Sequence, residues 1–310
     1  MTNNKFRLVT RSDFDGLVCA VLLKDLDLID DILFVHPKDM QDGKIAITAN
    51  DITTNLPYVA GCHMAFDHHL SETVRNASDI KNHIIDPQAP SAARVVYDYY
   101  GGKERFPTIS DDMMDAVDKG DSAQFSKDEI LNPTGWVLMN FIMDARTGLG
   151  RFRDFKISNY QLMMKLIDAC KDQGIDKILT MEDVAERVSL YNEHNELAKK
   201  QIKRCATVHS NLVVLDLTQE DTIYATNRFV IYAMYPDCNI SIHKMWGLKK
   251  QNVVYAIGKS ITNRSSNTNV GELCLKYGGG GHLNAGTCQI DTDKADTVLQ
   301  ELITTICHDG

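Results

Sequence analysis

The sequence lacks a long hydrophobic run. Hydrophobic residues make up 44% of its 310 residues, yet no stretch of about 18 consecutive apolar residues occurs, so no membrane-spanning helix is expected. Residues 1–6 are polar and lead directly into a strand-like stretch, without the apolar core of a signal peptide. These absences predict a cytoplasmic protein that has no membrane partner.

Positive charge is also scarce. Lys and Arg number 33 against 42 Asp and Glu, which gives a formal net charge of −9 at pH 7. Proteins that coat long nucleic acids by releasing counterions are usually basic, so long duplex DNA is not an expected partner. A small anionic substrate stays compatible with this balance, because bound divalent metal ions would supply local positive charge.

Closely spaced cysteines are missing as well. None of the eight cysteines forms a Cys-x-x-Cys pair, and several lie inside apolar runs. Reduced, buried thiols in a reducing compartment are the simplest interpretation. A zinc finger or a disulfide-stabilised scaffold is therefore not expected.

The chain is too long for a typical single hydrophobic core, which favours two domains. In its first part short apolar runs alternate with helical patterns, which predicts an α/β domain with a mostly parallel sheet. Strands are predicted over residues 6–10, 32–36, 45–49 and 63–66. Helices are predicted over residues 17–28 and 92–100, the second of them capped by Ser91.

Residues 136–205 have a mainly helical pattern, which ends in a long polar helix over 181–205. Strand patterns then return over residues 212–215, 229–234, 240–243 and 253–257, followed by a glycine-rich turn and a last helix over 295–306. We therefore predict a first domain over residues 1–190, a helical linker over 191–206 and a smaller α/β domain over 207–310.

Two acidic residues follow the first predicted strand, in the sequence Asp13-Phe14-Asp15-Gly16. Ligands of open α/β sheets bind at the carboxyl ends of the strands, which makes this pair a candidate site. The same residues are also common in a turn that caps a helix, and taken alone they indicate that structural role at least as strongly.

A second candidate is Asp67-His68-His69, again at the end of an apolar run. Carboxylate and neutral imidazole together suit manganese, iron or zinc. The alternative is a surface loop in which the aspartate is hydrogen-bonded to a histidine.

Further acids occupy comparable positions. Asp51 follows the predicted strand over residues 45–49, and Asp118 and Asp121 lie in the sequence Asp118-Lys119-Gly120-Asp121. Each alone is more often a cap or turn residue than a ligand. Acids gathered at one sheet edge would repel each other unless cations neutralised them, and two metal ions would do so while activating water.

Four glycines precede a histidine late in the chain, at Gly278-Gly279-Gly280-Gly281-His282. Glycines let the backbone approach a ligand closely, and their N–H groups can form an anion-binding nest. The spacing differs from a Walker-type phosphate loop and from a dinucleotide fingerprint. A mobile turn is the alternative to a phosphate-binding role.

Taken together and in this order, Asp13-x-Asp15-Gly16, Asp67-His68-His69 and Gly279-Gly280-Gly281-His282 resemble the DHH phosphoesterases that carry the DHH-associated C-terminal domain. The resemblance covers nearly the whole chain. The group includes RecJ-like exonucleases, NrnA-type oligoribonucleases, cyclic-dinucleotide phosphodiesterases and exopolyphosphatase-like proteins. It implies a catalytic domain and a substrate-binding domain that face each other across a cleft.

The resemblance also implies roles for individual residues. It implies two manganese ions, with magnesium, cobalt or iron as other candidates. The implied metal ligands are Asp13, Asp15, Asp51, His68 and Asp121. Asp51 would bridge the two ions. Asp121 would be the last acidic ligand, and Asp118 is the alternative to it. The implied groups around the substrate are His69, which would orient the site or touch the phosphate, and Arg264, Gly279, Gly280, Gly281 and His282, which would hold it.

The sequence departs from the family pattern in two places. Many relatives have a metal-binding histidine two to four positions before the first aspartate, whereas this chain has Val9, Thr10 and Arg11 there. Arg11 cannot bind a metal ion, which puts one of the two ions in question, and it could contact the substrate phosphate instead. The residues after His282 also differ from the common pattern, which bears on substrate preference.

These features predict a manganese-dependent phosphoesterase that hydrolyses short oligonucleotides or dinucleotides with metal-activated water. An exopolyphosphatase or pyrophosphatase is the first alternative, because the same metal motif serves phosphoanhydride hydrolysis. A nucleotide sensor with a weakened metal site is the second alternative, and Arg11 is the reason for it. A homodimer is compatible with all three predictions.

Overall fold

The computed structural model describes residues 5–75, 80–152 and 154–310, and the chain divides into two compact units. The first unit comprises Met1–Gln124, Pro133–Ala145 and Leu149–Leu190. The second comprises Phe125–Asn132, Arg146–Gly148 and Tyr191–Gly310. Among the described residues, no helix is long and apolar enough to cross a membrane.

A sheet of five parallel strands forms the centre of the first unit, in the order β2-β1-β3-β4-β5. Its strands are β1 (Phe6–Arg11), β2 (Ile29–Val35), β3 (Asp51–Thr54), β4 (Met64–Asp67) and β5 (His83–Ile85). Leu8, Val9 and Ile52 are almost fully buried, as central strands of a parallel sheet require. The predicted α/β class with a mostly parallel first sheet is confirmed.

Helices connect these strands and follow them along the chain. They are α1 (Phe14–Asp25), α2 (Pro37–Gln41), α3 (Leu70–Arg75), α4 (Ala92–Tyr99), α5 (Gly102–Arg105), α6 (Asp111–Asp121), α7 (Lys127–Leu131), α8 (Gly135–Met143), α9 (Asn159–Asp172), α10 (Ile175–Leu179) and α11 (Glu182–Cys205). Helix α7 belongs to the second unit, and α11 runs from the first unit into the second. Helix α1 is buried from Phe14 to Leu23 and packs against α4, α6 and α9, which explains why it is apolar on all sides.

The strand predicted over residues 45–49 is wrong. Those residues are not in a strand, and β3 begins only at Asp51. The alternating apolar residues that suggested a strand, Ile45 and Ile47, pack instead against a buried cluster that includes Val9 and Met40. Burial of one side of a loop therefore produced the same period of two as a strand.

The second unit contains a mixed sheet in the order β10-β11-β9-β8-β7-β6. Its strands are β6 (Ala206–His209), β7 (Leu212–Asp216), β8 (Ile240–Trp246), β9 (Val253–Lys259), β10 (Gly280–His282) and β11 (Ala285–Ile290). Strands β7 and β8 are parallel and the other pairs are antiparallel. The later helices are α12 (Val230–Met234), α13 (Val270–Leu275) and α14 (Ala295–Asp309), and 3₁₀ turns occur at Ala145–Thr147, Leu149–Arg151 and Leu248–Lys250.

Two predictions for this unit are corrected. The apolar run over residues 229–234 forms helix α12 and not a strand, because Asn227 begins a turn there: its Oδ1 accepts the N–H of Phe229, and its carbonyl accepts that of Val230. A short, fully buried apolar run does not distinguish the two structures. The glycines predicted to form only a turn contribute Gly280 and Gly281 to strand β10.

Candidate metal centre

Asp13 and Asp15 lie where strand β1 passes into helix α1. Asp13 is the N-cap of α1, and its Oδ1 accepts the N–H of Gly16 at 3.0 Å. A Cβ atom on Gly16 would lie 2.0 Å from the carbonyl oxygen of Arg11, so no larger residue fits this turn. The turn therefore fixes both carboxylates at the carboxyl end of the central strand.

Asp15 is 2% exposed, and its two oxygens accept the N–H groups of Ala92 and Ala93 at 3.1 and 2.8 Å, at the start of helix α4. Burial raises the pKa of Asp15 to about 8, and the charges of Asp121 and Asp13 add to this effect. The charged form of Asp15 is thus disfavoured unless a cation is added close to it.

His68 and Asp121 face Asp15. His68 Nδ1 lies 3.2 Å from the carbonyl oxygen of Ala89, and a proton on Nδ1 leaves Nε2 as an electron-pair donor. Nε2 lies 2.9 Å from Asp121 Oδ2. Burial alone would lower the pKa of His68, but the close carboxylate of Asp121, helped by those of Asp15 and Asp67, raises it to about 9.

One divalent metal ion fits this group. Ligand atoms of Asp15, His68 and Asp121 all lie within 4.8 Å of one another. Within the described part of the chain, no group makes an aligned hydrogen bond with His68 Nε2, although the atom is buried. Two carboxylates and an imidazole are donors that suit manganese, iron or zinc. The group as a whole is therefore a candidate site for a divalent cation.

Asp67 and His69 form a neighbouring pair. Asp67 Oδ1 accepts the backbone N–H of His68 at 2.8 Å and lies 2.7 Å from His69 Nδ1. The hydrogen bond to Asp67 raises the pKa of His69, which favours its charged form, and the side chain is 42% exposed. An imidazolium in this position can donate a proton or a hydrogen bond to an anionic ligand.

The structure separates the two competing acids of helix α6. Asp121 is the one beside His68, whereas Asp118 accepts a hydrogen bond from Ser91 Oγ at 2.7 Å and two from the guanidinium of Arg94 at 2.9 and 2.6 Å. Asp118 therefore holds the start of helix α4 and lies outside the group of potential metal ligands.

The structure corrects the placement of Asp51. Asp51 is the first residue of strand β3 and pairs with Arg7 of β1. Thr54, the last residue of β3, pairs with Thr10 near the carboxyl end of β1. The Asp51 carboxylate binds Arg7 Nε at 2.6 Å and accepts the N–H of Thr48 at 2.6 Å. As a consequence, Asp51 lies at the sheet edge opposite Asp13, Asp15 and Asp67, where it cannot bridge metal ions with them.

We expect Asp51→Ala to destabilise the protein without reducing manganese binding. The change leaves Arg7 and the Thr48 N–H without their buried acceptor, which costs about 1–3 kcal/mol. Burial opposes ionisation of Asp51, but Arg7 and Thr48 outweigh it and lower its pKa. The lost stability should therefore be evident at neutral pH and shrink as the pH falls below the ordinary aspartate range. Urea unfolding at pH 7 and pH 3.5 and a manganese titration would measure both effects, and loss of manganese binding by a folded variant would contradict this placement.

Asn55 lies at the position where the sequence-based prediction expected an acid. It directly follows β3 at the carboxyl end, is 1% exposed, and its Nδ2 donates to Asp13 Oδ1 at 3.3 Å. Its φ of 54° lies in the left-handed region, which asparagine tolerates better than most residues. The signal that could have identified it is the polar residue that ends the β-branched run Ile52-Thr53-Thr54.

The glycine-rich motif of the second unit supplies strand β10, which pairs with β11 in a tight hairpin. A Cβ atom on Gly279 would lie 2.1 Å from Thr287 O, and one on Gly281 would lie 2.3 Å from Ala285 O, whereas Gly280 faces open space. His282 is exposed, and its Nδ1 accepts the N–H of Asn284 at 3.3 Å.

An open cavity of about 370 Å³ lies beside this hairpin. Its lining residues are Asn269, Gly271, Glu272, Leu275, Gly280, Gly281, His282 and Leu283. Gly279 and Arg264 are not among them, although both were predicted to bind substrate. The Arg264 side chain is exposed and donates from Nε to the Ile261 carbonyl at 3.1 Å. The structure thus brings only part of the predicted substrate-binding set together.

Comparisons with known proteins complete this description. No family model matches the chain, and no curated protein matches it. Among solved structures, the chain is similar to the pGpG-specific phosphodiesterase PggH from Vibrio cholerae, with 65% sequence identity and a TM-score of 0.90 over 99% of this chain and 100% of the other. It is also similar to CDC45 from Entamoeba histolytica, with 10% identity and a TM-score of 0.51 over 97% and 95% of the two chains, a likeness that concerns the fold alone.

Proposed function

The chain belongs to the DHH phosphoesterase family, and on this premise we propose that it hydrolyses the phosphodiester bond of short 5′-phosphorylated dinucleotides in a manganese-dependent reaction. The observation that carries the proposal is full-length similarity, at 65% identity, to a phosphodiesterase specific for pGpG. The grouping of Asp15, His68 and Asp121 supports it independently. The first candidate substrate is therefore pGpG.

The residues of the metal centre have distinct tasks in this proposal. Asp15, His68 and Asp121 would hold the metal, and the carbonyl of Ala89 fixes the His68 ring so that Nε2 is presented as a ligand. When bound, a divalent cation would lower the pKa of a water molecule and offset the negative charge that develops on the phosphate. Helix α4 holds the Asp15 carboxylate in place through two backbone N–H groups.

His69 and Arg11 would act on the phosphate itself. Asp67 favours the protonated form of His69, so that this half-exposed ring can donate a proton towards the leaving oxygen. Arg11 carries a guanidinium whose planar geometry matches phosphate oxygens. In the second unit, the β10–β11 hairpin and His282 would bind a further phosphate of the substrate.

Incubation with pGpG, pApA and polyphosphate, each with manganese and with a chelator, tests this function. We expect manganese-dependent conversion of pGpG to two molecules of GMP, with little release of phosphate from polyphosphate. Faster turnover of pApA than of pGpG would remove guanine specificity while keeping the dinucleotide reaction. Phosphate release from polyphosphate alone, or turnover that persists in chelator, would contradict the proposal.

A further inference from the structure

We propose that each active site of this chain binds one divalent metal ion and that the guanidinium of Arg11, paired with Asp13, takes the place of a second ion. This inference rests on the proposed function only in placing the reaction at the Asp15, His68 and Asp121 group. It concerns how many ions the residues accept, which can be measured without substrate.

The first observation is that Asp13 is already occupied by hydrogen-bond donors. Its Oδ2 lies 2.9 Å from Arg11 Nε, and its Oδ1 accepts the Gly16 N–H at 3.0 Å and Asn55 Nδ2 at 3.3 Å. Asp13 is also absent from the groups of potential ligands found in the described residues. A cation would have to displace an existing guanidinium pair to reach this carboxylate.

The second observation is the chemistry of the residues around Asp13. A guanidinium cannot bind a metal ion, and Asn55 is neutral where an acid could have bridged two ions. Asp51, the acid that the sequence suggested for that task, lies at the opposite edge of the sheet and binds Arg7. A single carboxylate with an amide is a poor ligand set for manganese, which favours several oxygen or imidazole donors.

A second potential group, Asp67 with His68 and His69, does not provide another site. It shares His68 with the first group, and His68 presents Nδ1 to the Ala89 carbonyl and Nε2 towards Asp121. His69 Nδ1 is itself paired with Asp67 at 2.7 Å. The two groups therefore compete for one imidazole and accept one ion between them.

The consequence for the reaction is that Arg11 is a catalytic residue. Its Nε is the atom that pairs with Asp13, so the two terminal amino groups of the guanidinium can donate to nonbridging phosphate oxygens. The Asp13 pair would hold the guanidinium in a fixed orientation, which preorganises it for the transition state.

The test is a metal count by equilibrium dialysis and elemental analysis, together with manganese EPR. We expect one manganese ion per chain with the six-line spectrum of an isolated ion. Two ions per chain with a spin-coupled spectrum would overturn the inference. The His68→Ala variant, which should lose this ion, identifies the site that is being counted.

Designed variants sharpen the test. Arg11→Gln should keep one ion but lower kcat for pGpG by about 10²–10³, as removal of a donor to the transition state does, whereas Arg11→Lys should recover part of the rate. The double variant Arg11→His with Asn55→Asp should bind a second ion, provided that circular dichroism shows an unchanged fold. Wild-type kcat in Arg11→Gln would overturn the catalytic role. One ion without pGpG turnover would contradict the proposed function and leave the metal count intact.

Discussion

Replacing Asp15 with asparagine should abolish phosphodiester hydrolysis and, at the same time, raise the melting temperature of the metal-free protein. The asparagine retains one acceptor for the start of helix α4 but loses the charge that would hold a cation. Because a catalytic metal contributes several kcal/mol of transition-state stabilisation, we expect kcat/KM to fall at least ~10³-fold.

The opposite effect on stability follows from burial. Burial and the charges of Asp121 and Asp13 raise the pKa of Asp15 to about 8, far above its value in an unfolded chain. The metal-free protein therefore loses stability as the pH rises from about 4 to about 8, because Asp15 must ionise in a setting that disfavours the charge. Asparagine removes that loss, so the gain should be larger at pH 8 than at pH 5, by a few degrees if the change is ~1 kcal/mol.

A matched control is available in the same region. Asp118→Asn weakens the contacts of Asp118 with Ser91 and Arg94 at the start of helix α4, but this residue is not part of the candidate ligand group. We expect it to lower the melting temperature and to keep manganese binding. Calorimetry in chelator and in manganese would compare the two variants. Wild-type turnover by Asp15→Asn would remove Asp15 from the metal centre.

In the second unit, Gly281→Ala should raise the KM for pGpG strongly. The control Gly174→Ala, in the first unit, should leave the KM within about twofold, because surface changes away from tight contacts usually cost less than ~0.5 kcal/mol. A Cβ atom on Gly281 would lie 2.3 Å from Ala285 O and 2.4 Å from Gly286 Cα, so strands β10 and β11 would have to separate. A Cβ atom on Gly174 meets nothing within 4 Å, and Gly174 does not line the cavity beside the hairpin.

The expected readout is a change in binding that spares the metal centre. If the hairpin and His282 hold a phosphate of the substrate, loss of one charge-assisted contact of about 1.5–3 kcal/mol raises KM roughly 10- to 100-fold. Manganese binding should stay unchanged in both variants, because neither glycine belongs to the groups of candidate ligands. Equal kinetics for the two variants would show that the hairpin has no part in substrate binding.

The sequence predicts the parallel sheet and the proximity of Asp15 and His68 for a physical reason. The motifs of Asp15 and His68 directly follow buried apolar runs, and parallel strands bring their carboxyl ends to one edge, so sequence order alone places them together. The start of helix α4 was also predictable, because Ser91 caps it through its own side chain: Ser91 Oγ accepts the Arg94 N–H at 3.0 Å.

The errors arise where burial of a segment does not depend on its secondary structure. Ile45 and Ile47 alternate like strand residues because one side of their loop is buried. The prediction therefore placed Asp51 after a strand over residues 45–49, whereas Asp51 is the first residue of β3. The run that became α12 is buried on all sides, so its period carries no information. Asn55 was missed because a neutral amide is not expected among metal ligands, although it lies beside Asp13.

The closed turn at Gly16 has a consequence for protein engineering. A Cβ atom there would lie 2.0 Å from the Arg11 carbonyl and 2.8 Å from Thr10 Oγ1, so this position accepts no diversity in a variant library. Arg11, two residues before Asp13, keeps 35% of its side chain exposed and faces no such limit. A library aimed at new phosphate esters would therefore keep Gly16 constant and restrict Arg11 to arginine and lysine, which both retain a positive charge for the phosphate.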